Sequence, residues 1–241
     1  MPCIRGNCAA FPGRLMRNVV ILDLDGTVLS VNSFRLWASY MLRAASPHMA
    51  PGRRLGLALR AGGALVARKA GLMGHEALKH HLQSLWQRST AGDGGATLSH
   101  FNDGLRRHVR PELQPLLSAM AAGQVDGVLA TAAAADYAQH FGGLLGIPHV
   151  LATPAIRPRT MPSNIGRHKR DAVLDFLARQ GWMERPRILF TDHEDDLPLI
   201  EICRTVHWFG PPTALAAMAT RFPHTALHQG FTDPEDRRQR C

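Results

Sequence analysis

Two clusters of carboxylates stand out in a chain that is otherwise short of acids. The 241 residues carry 19 Asp+Glu against 28 Lys+Arg, a formal charge of +9. Six of those acids fall in two short segments, Asp23 with Asp25, and Asp192 with Glu194, Asp195 and Asp196. Asp23-Leu24-Asp25-Gly26-Thr27 closes a hydrophobic run. In an extended chain, residues two apart point the same way, so both carboxylates face one pocket, while Gly26 permits the turn by which the backbone leaves. Two acids that close repel each other, and a hard divalent cation relieves the repulsion. The competing reading is a pair of acids at the start of the next helix. The surrounding positive excess suits anions.

These side chains need elements to present them. Asn18 to Leu24 is a nearly continuous apolar, β-branched run, as in a parallel strand buried on both faces. From Ser33 to Leu117 the apolar spacing turns helical. Phe34, Trp37, Met41 and Leu42 fit one face, Leu78, Leu82, Leu85 and Trp86 another, predicting three or four helices. Strands are expected again at Val125 to Thr131, His149 to Thr153, Arg187 to Thr191 and Thr205 to Phe209, and as antiparallel pieces near Arg157 to Met161. Helices are expected near Asp136 to Leu145, Lys169 to Gln180, Leu197 to Cys203 and Pro212 to Thr220. This alternation predicts a doubly wound α/β sheet, whose ligands bind beyond the C-terminal strand ends. The division expected is a core of residues 16–30 and 120–229, a helical insert of 31–119, and loose termini at 1–15 and 230–241.

Composition excludes several classes. With 45% hydrophobic residues the chain can bury a core. Its most apolar long stretch, Leu55 to Met73, is broken by Arg60, Arg68 and Lys69, which argues against a membrane span. Cys3, Cys8, Cys203 and Cys241 form no CxxC pair or framework. The apolar piece Cys8 to Phe11 is too short for a signal peptide, so a cytoplasmic location is expected. The histidines include no HExxH, and the basic residues do not interleave with aromatics, so no nucleic-acid partner is expected.

DLDGT after a hydrophobic strand resembles the nucleophile motif of the haloacid dehalogenase (HAD) superfamily, most of whose members are Mg²⁺-dependent phosphatases. Three further motifs follow in order. Thr131 in VLATAA is similar to the hydroxyl residue ending the second strand, Lys169 in GRHKRDAVLDFL to the helix-start lysine, and Asp192 to Leu199 (DHEDDLPL) to the acidic metal loop. The resemblance covers roughly residues 16–29 and 123–210, and implies a Rossmann-like HAD core with a helical cap of the phosphoserine-phosphatase-like kind.

The roles it implies make physical sense. Asp23 would attack phosphorus and form an aspartyl-phosphate, splitting one hard hydrolysis into two displacements. Asp25 would protonate the leaving alcohol and then deprotonate water. Thr131 would donate to a phosphoryl oxygen, and Lys169 would neutralise the nucleophile and the transferring group. Mg²⁺ would be held by Asp23, Asp192 and the main-chain carbonyl of Asp25. Asp196 would orient Lys169, and Asp195 stands beside it where relatives often carry Asn. The acid two positions after the nucleophile goes with phosphoryl transfer rather than dehalogenation. Arg167, His168 and Arg170 flank Lys169, and family spacing favours Lys169.

Substrate choice is expected in the insert. Phe34 and Arg35 are candidate substrate contacts, Arg35 for a second anionic group. Between Gly26 and His75 there are seven Lys/Arg and no acid. Leu55, Ala58, Leu59, Gly62, Leu65, Val66, Leu72 and Met73 fit one apolar stripe, with Arg53, Arg60 and Arg68 elsewhere. Such a helix either packs in the insert or lies on an anionic membrane. The basic cap loosely resembles that of HAD-type phosphatidylglycerophosphate phosphatases. The expectation is therefore a lipid or other strongly anionic phosphoester, with peripheral contact at the inner membrane face. The alternatives are a soluble small-metabolite phosphatase of the phosphoserine type, and a catalytically silent module that binds a membrane or partner.

Overall fold

The computed structural model describes residues 18–154 and 163–230. The strands expected at Arg157 to Met161 and the loose ends at 1–15 and beyond 230 lie outside the described residues. Six parallel strands form one sheet in the order β3-β2-β1-β4-β5-β6. They are β1 (Val19–Leu22), β2 (Asp126–Ala134), β3 (Val150–Thr153), β4 (Arg187–Thr191), β5 (Thr205–Trp208) and β6 (Ala226–Gln229).

β1 is central, and all four of its residues are fully buried. Val20 and Leu22 join the apolar cluster on one face of the sheet, Val19 and Ile21 the cluster on the other. That period of two is why a strand covered on both sides must be apolar throughout, each such side chain contributing about 1.5–3 kcal/mol on burial. β2 and β4 flank β1, so the chain winds outward from it in opposite directions and opens a crevice at the strands' C-terminal ends.

Between β1 and β2 come α1 (Ser33–Leu42), α2 (Pro51–Lys69), α3 (His75–Thr90), α4 (Ala96–Arg106), a 3-10 turn at Pro111–Leu113, and α5 (Gln114–Ala121). α6 (Ala135–Leu144) follows β2. α7 (Gly166–Gln180), α8 (Leu197–Ile200) and α9 (Pro212–Arg221) complete the layers. α5 and α6 supply Leu117, Met120 and Phe141 to one face of the sheet, while α7, α8 and α9 supply Val173, Leu199 and Met218 to the other.

The helical insert leaves and rejoins the sheet by one narrow ribbon. Ser30 N donates to His108 O at 2.9 Å, Arg110 N donates to Val28 O at 2.9 Å, and Leu29 bridges Val109. Above it an aromatic cluster joins insert and core. Trp37, fully buried, lies 5.3 Å centroid to centroid from Tyr137 of α6 and 5.5 Å from Trp86 of α3.

Four details differ from expectation. β2 runs on through Ala132–Ala134, where alanines favour helix, because the strand is still flanked by β3: Ala134 pairs with Thr153 after a register shift. β6 was not anticipated, since Ala-Leu-His-Gln has no β-branched residue, yet it pairs with β5 along its length. A 3-10 turn, Glu194–Asp196, precedes α8. α2 buries Leu57, Ala61 and Ala64, with Leu65 of the expected stripe partly buried and Leu55, Leu59 and Val66 turned outward; the two alanines let it sit close to α1 and α3.

Candidate active site

The crevice beyond β1, β2 and β4 is a cleft of about 400 Å³ whose floor holds Asp23, Asp25, Thr131, Lys169 and Asp192. Asp23 continues the ladder, its N–H donating to Phe190 O at 2.9 Å, so its side chain leaves the strand end in a fixed direction. Gly26 turns the chain at φ +74°, a conformation that side-chain-bearing residues avoid. It also makes room: a Cβ there would stand 1.9 Å from Asp192 Oδ2.

Lys169 lies in the first turn of α7. Of the four consecutive bases from Arg167 to Arg170, it alone is buried, because it faces the sheet while Arg167 and His168 face outward. Its Nζ donates to Asp23 Oδ1 at 2.7 Å and to Asp196 Oδ2 at 2.8 Å. Thr191, the last residue of β4, donates its hydroxyl to the same Asp196 oxygen at 2.6 Å. The lysine is thus gripped from both sides. Burial alone would lower its pKa, but Asp196 and Asp23 outweigh burial and hold it above its ordinary value, so it is a permanent cation.

The acids respond in the opposite sense. Burial raises Asp23 well above the usual carboxylate range, Lys169 pulls it back, and the charges of Asp196 and Asp192 push it up again. Burial also raises Asp192, to about 6, with Asp196 adding to the effect. Several carboxylates therefore share one lysine. Among the described residues no three His, Cys, Asp or Glu side chains converge as a ready-made metal cluster. An octahedral Mg²⁺ does not require one, since it takes one or two carboxylates, other oxygens and several waters at about 2.1 Å. The excess negative charge at Asp23 and Asp192, and the side-chain-free approach at Gly26, fit that ion. Thr27 donates toward Asp192 Oδ1 at 3.4 Å, a weak bond that steadies the second carboxylate.

Asp25 is raised by burial against the pull of hydrogen bonds from Ser33. Ser33 N donates to Asp25 Oδ1 at 2.8 Å, and Ser33 Oγ lies 2.8 Å from Tyr137 Oη. Thr131 accepts from Ala133 N at 3.0 Å through Oγ1, which leaves its hydroxyl hydrogen to be given to a ligand oxygen. Asn164 secures the strand end by donating to Thr131 O at 3.1 Å and Leu151 O at 2.9 Å.

Other expected residues are placed differently. Asp195, expected beside Asp196 around the metal shell, lines the cleft but is exposed and pairs with His193 at 3.1 Å, while the 3-10 turn directs Asp196 inward. Glu194 is exposed. Phe34 lines the cleft, but Arg35, next to it on α1, faces outward and does not. The cation supplied by the insert is Lys79 of α3. It is buried in the cleft wall, donates to Ala132 O at 3.1 Å and Ser163 Oγ at 3.3 Å, and lies over the Phe34 ring. His75 from the same helix lies edge-on to Phe34 at 5.8 Å. Lys79 was hidden in sequence because it sits within the apolar run of Leu78, Leu82 and Leu85.

A parallel sheet whose first strand ends in paired carboxylates, one of them bonded to a buried helix-start lysine, defines a class of hydrolase. The sequence matches the haloacid dehalogenase-like hydrolases over residues 20–201, and the chain belongs to that family. Solved structures share the fold at low identity. A protein of unknown function from Bordetella pertussis Tohama I has TM-score 0.68 and 17% identity, covering 89% of this chain and 99% of its own. A HAD family hydrolase from Salmonella enterica serovar Typhi has TM-score 0.56 and 17% identity, covering 89% and 68%. A probable phosphoserine phosphatase from Vibrio cholerae has TM-score 0.55 and 12% identity, covering 85% and 61%. No curated protein matches the sequence.

Proposed function

We propose that this protein hydrolyses phosphomonoesters with Asp23 as nucleophile and Asp25 as general acid and base. The observation that carries the reading is the 2.7 Å bond from Lys169 to Asp23 at the floor of the cleft, with Asp25, Thr131 and Asp192 around it. An ion pair made only for stability would not lie open to a cavity, and replacing it with apolar residues would be neutral or stabilising.

A carboxylate oxygen of Asp23 attacks phosphorus, forming an acyl-phosphate bond as the ester P–O bond breaks. Asp25, whose pKa burial raises and whose protonated form burial thereby favours, gives its proton to the departing alkoxide. Asp25 then takes a proton from water, the oxygen of which attacks phosphorus and displaces Asp23, releasing inorganic phosphate. Lys169 and the Thr131 hydroxyl stabilise the charge that develops on the phosphoryl oxygens. Mg²⁺, held by Asp23, Asp192 and the Asp25 carbonyl, would neutralise the phosphoryl group and the crowded acids.

The substrate we infer is a phosphomonoester whose alcohol carries further negative charge or a lipid chain. Lys79 and His75 on the cleft wall and the acid-free stretch from Thr27 to Gly74 favour it. A soluble, phosphoserine-like substrate is the second reading, favoured by a cleft volume typical of small ligands and by the likeness to a structure described as a probable phosphoserine phosphatase. A cytoplasmic setting accords with both.

Phosphate release from amino-acid, sugar, nucleotide and lipid phosphates, with and without Mg²⁺, tests the proposal. Asp23→Asn should abolish turnover and leave the circular dichroism spectrum unchanged. Retention of most of the activity would remove Asp23 from its role.

A further inference from the structure

α2 turns an apolar strip to solvent. Its inward side, Leu57, Ala61 and Ala64, is buried. On the other side Leu55, Leu59 and Val66 are 60%, 67% and 68% exposed, and Leu72, just past the helix end, is 84% exposed. With 3.6 residues per turn, Leu55, Leu59, Gly62 and Val66 fall within an arc of about 60°. Leu42 of α1, itself exposed, lies close enough to touch a side chain at Gly62, which widens the strip there. Among the described residues, these five account for most of the exposed large apolar side chains; Leu144 and Met183 are the others.

The strip has one sign of charge around it. Lys69 falls about 20° beyond one edge of the strip, while Arg60 and Arg53 lie about 100° and 120° beyond the other, and all three are exposed. No acid occurs from Thr27 to Gly74.

We infer that α2 is a docking face for an anionic lipid surface, with Leu55, Leu59, Val66 and Leu72 entering the acyl boundary and Arg60 and Lys69 meeting headgroup phosphates. An apolar strip rimmed by long basic side chains is the pattern of an interfacial helix, whose bases keep their charge among the headgroups while their stems cover apolar surface. A second copy of this chain fits poorly. A two-fold contact through one patch sets the patch against itself, and here it would oppose arginines to arginines with no acid to pair them. A single-helix strip also offers little of the roughly 800 Å² per partner that stable protein interfaces bury. The face leads toward the cleft: six residues after Lys69 the chain reaches His75, which lines it.

This inference goes beyond the proposed reaction, and its test needs no activity. The full-length protein is sedimented with vesicles of phosphatidylcholine alone and of phosphatidylcholine mixed with phosphatidylglycerol, at low and high salt. Binding should favour the anionic vesicles by about tenfold and weaken as salt screens the headgroups. Leu59→Asp/Val66→Asp should lose at least about tenfold in binding at either salt. Arg60→Glu/Lys69→Glu should bring binding to the anionic vesicles down to that seen with neutral ones. All four positions carry exposed side chains that tolerate polar replacement, and an unchanged circular dichroism spectrum and urea-unfolding midpoint check that the variants fold. Equal sedimentation of wild type and Leu59→Asp/Val66→Asp, or none at low salt, overturns the inference. So does a concentration-dependent dimer, seen by light scattering, that Leu59→Asp/Val66→Asp dissolves.

Discussion

The main-chain N–H of Ser33 donates to Asp25 Oδ1 at 2.8 Å, so the first residue of the insert's first helix holds the acid at the end of the sheet. The Ser33 hydroxyl is in turn 2.8 Å from Tyr137 Oη, and both side chains are fully buried. If Asp25 protonates the leaving group, disturbing this chain should matter most where that proton is needed. Tyr137→Phe and Ser33→Ala are expected to lower kcat about tenfold for alkyl phosphates and less than about twofold for an aryl phosphate with an acidic phenol. Equal losses on both substrates would mean that the pair serves packing alone.

Gly26→Ala should damage the proposed Mg²⁺ site without unfolding the sheet. The added methyl would meet Asp192 Oδ2 at 1.9 Å from a backbone at φ +74°. Something must shift, and the carboxylate is the movable partner. Activity should fall by about 100-fold or more, and the Mg²⁺ concentration needed for half-activity should rise. A Mg²⁺ titration of activity reads both.

Removing the shared cation should cost stability as well as turnover. Lys169→Met leaves Asp23 and Asp196 buried with no counter-charge, a change of about 3–5 kcal/mol in other proteins. Burial already raises Asp23, and the variant removes the lysine that pulls it back, so the folded form binds more protons than the unfolded chain. Stability is then gained as pH falls. Urea unfolding at pH 8 and pH 5 should show the deficit against wild type narrowing at the lower pH.

His207, which does not line the cleft, supplies a second pH dependence. It stacks on Phe190 at 4.5 Å between centroids and lies 5.3 Å from the His228 ring. Burial, with His228 adding a smaller effect, pushes its pKa down to about 4. Between the ordinary value of 6.5 and about 4 the unfolded chain takes up a proton that the folded chain refuses, so stability falls as pH falls through that window. His207→Phe should shrink the drop in Tm between pH 7 and pH 5, measured by scanning calorimetry.

What could be read in advance followed from locality. β1 and β4 are short apolar runs buried on both faces, and the residues at their ends, Asp23 and Asp192, come with them. Lys169 could be picked from among four bases because the family resemblance sets the spacing of the helix-start lysine, and in the structure it is the one of the four that is buried. Long-range choices were not legible. Ser33 and Tyr137 are 104 residues apart, and nothing in either neighbourhood names the other. On α2, two apolar registers compete, and the one that carries Ala61 and Ala64 beside Leu57 takes the packed side because alanines allow closer approach. In the acidic loop, the 3-10 turn decides that Asp196 faces Lys169 while Asp195 stays in solvent.

The ribbon of Ser30 and His108 fixes where the chain leaves and re-enters the sheet, whatever hangs between those two points. Their main chains already meet at 2.9 Å, so the path from one to the other could be shortened to a tight turn or replaced by a foreign segment of any length whose own ends meet. Loop-closure cost grows slowly with such a change. The reaction floor and the means of selecting what reaches it are therefore joined along the chain at one narrow seam, while the Trp37–Tyr137, Ser33–Asp25 and Lys79–Ala132 contacts are what an exchanged segment would have to replace.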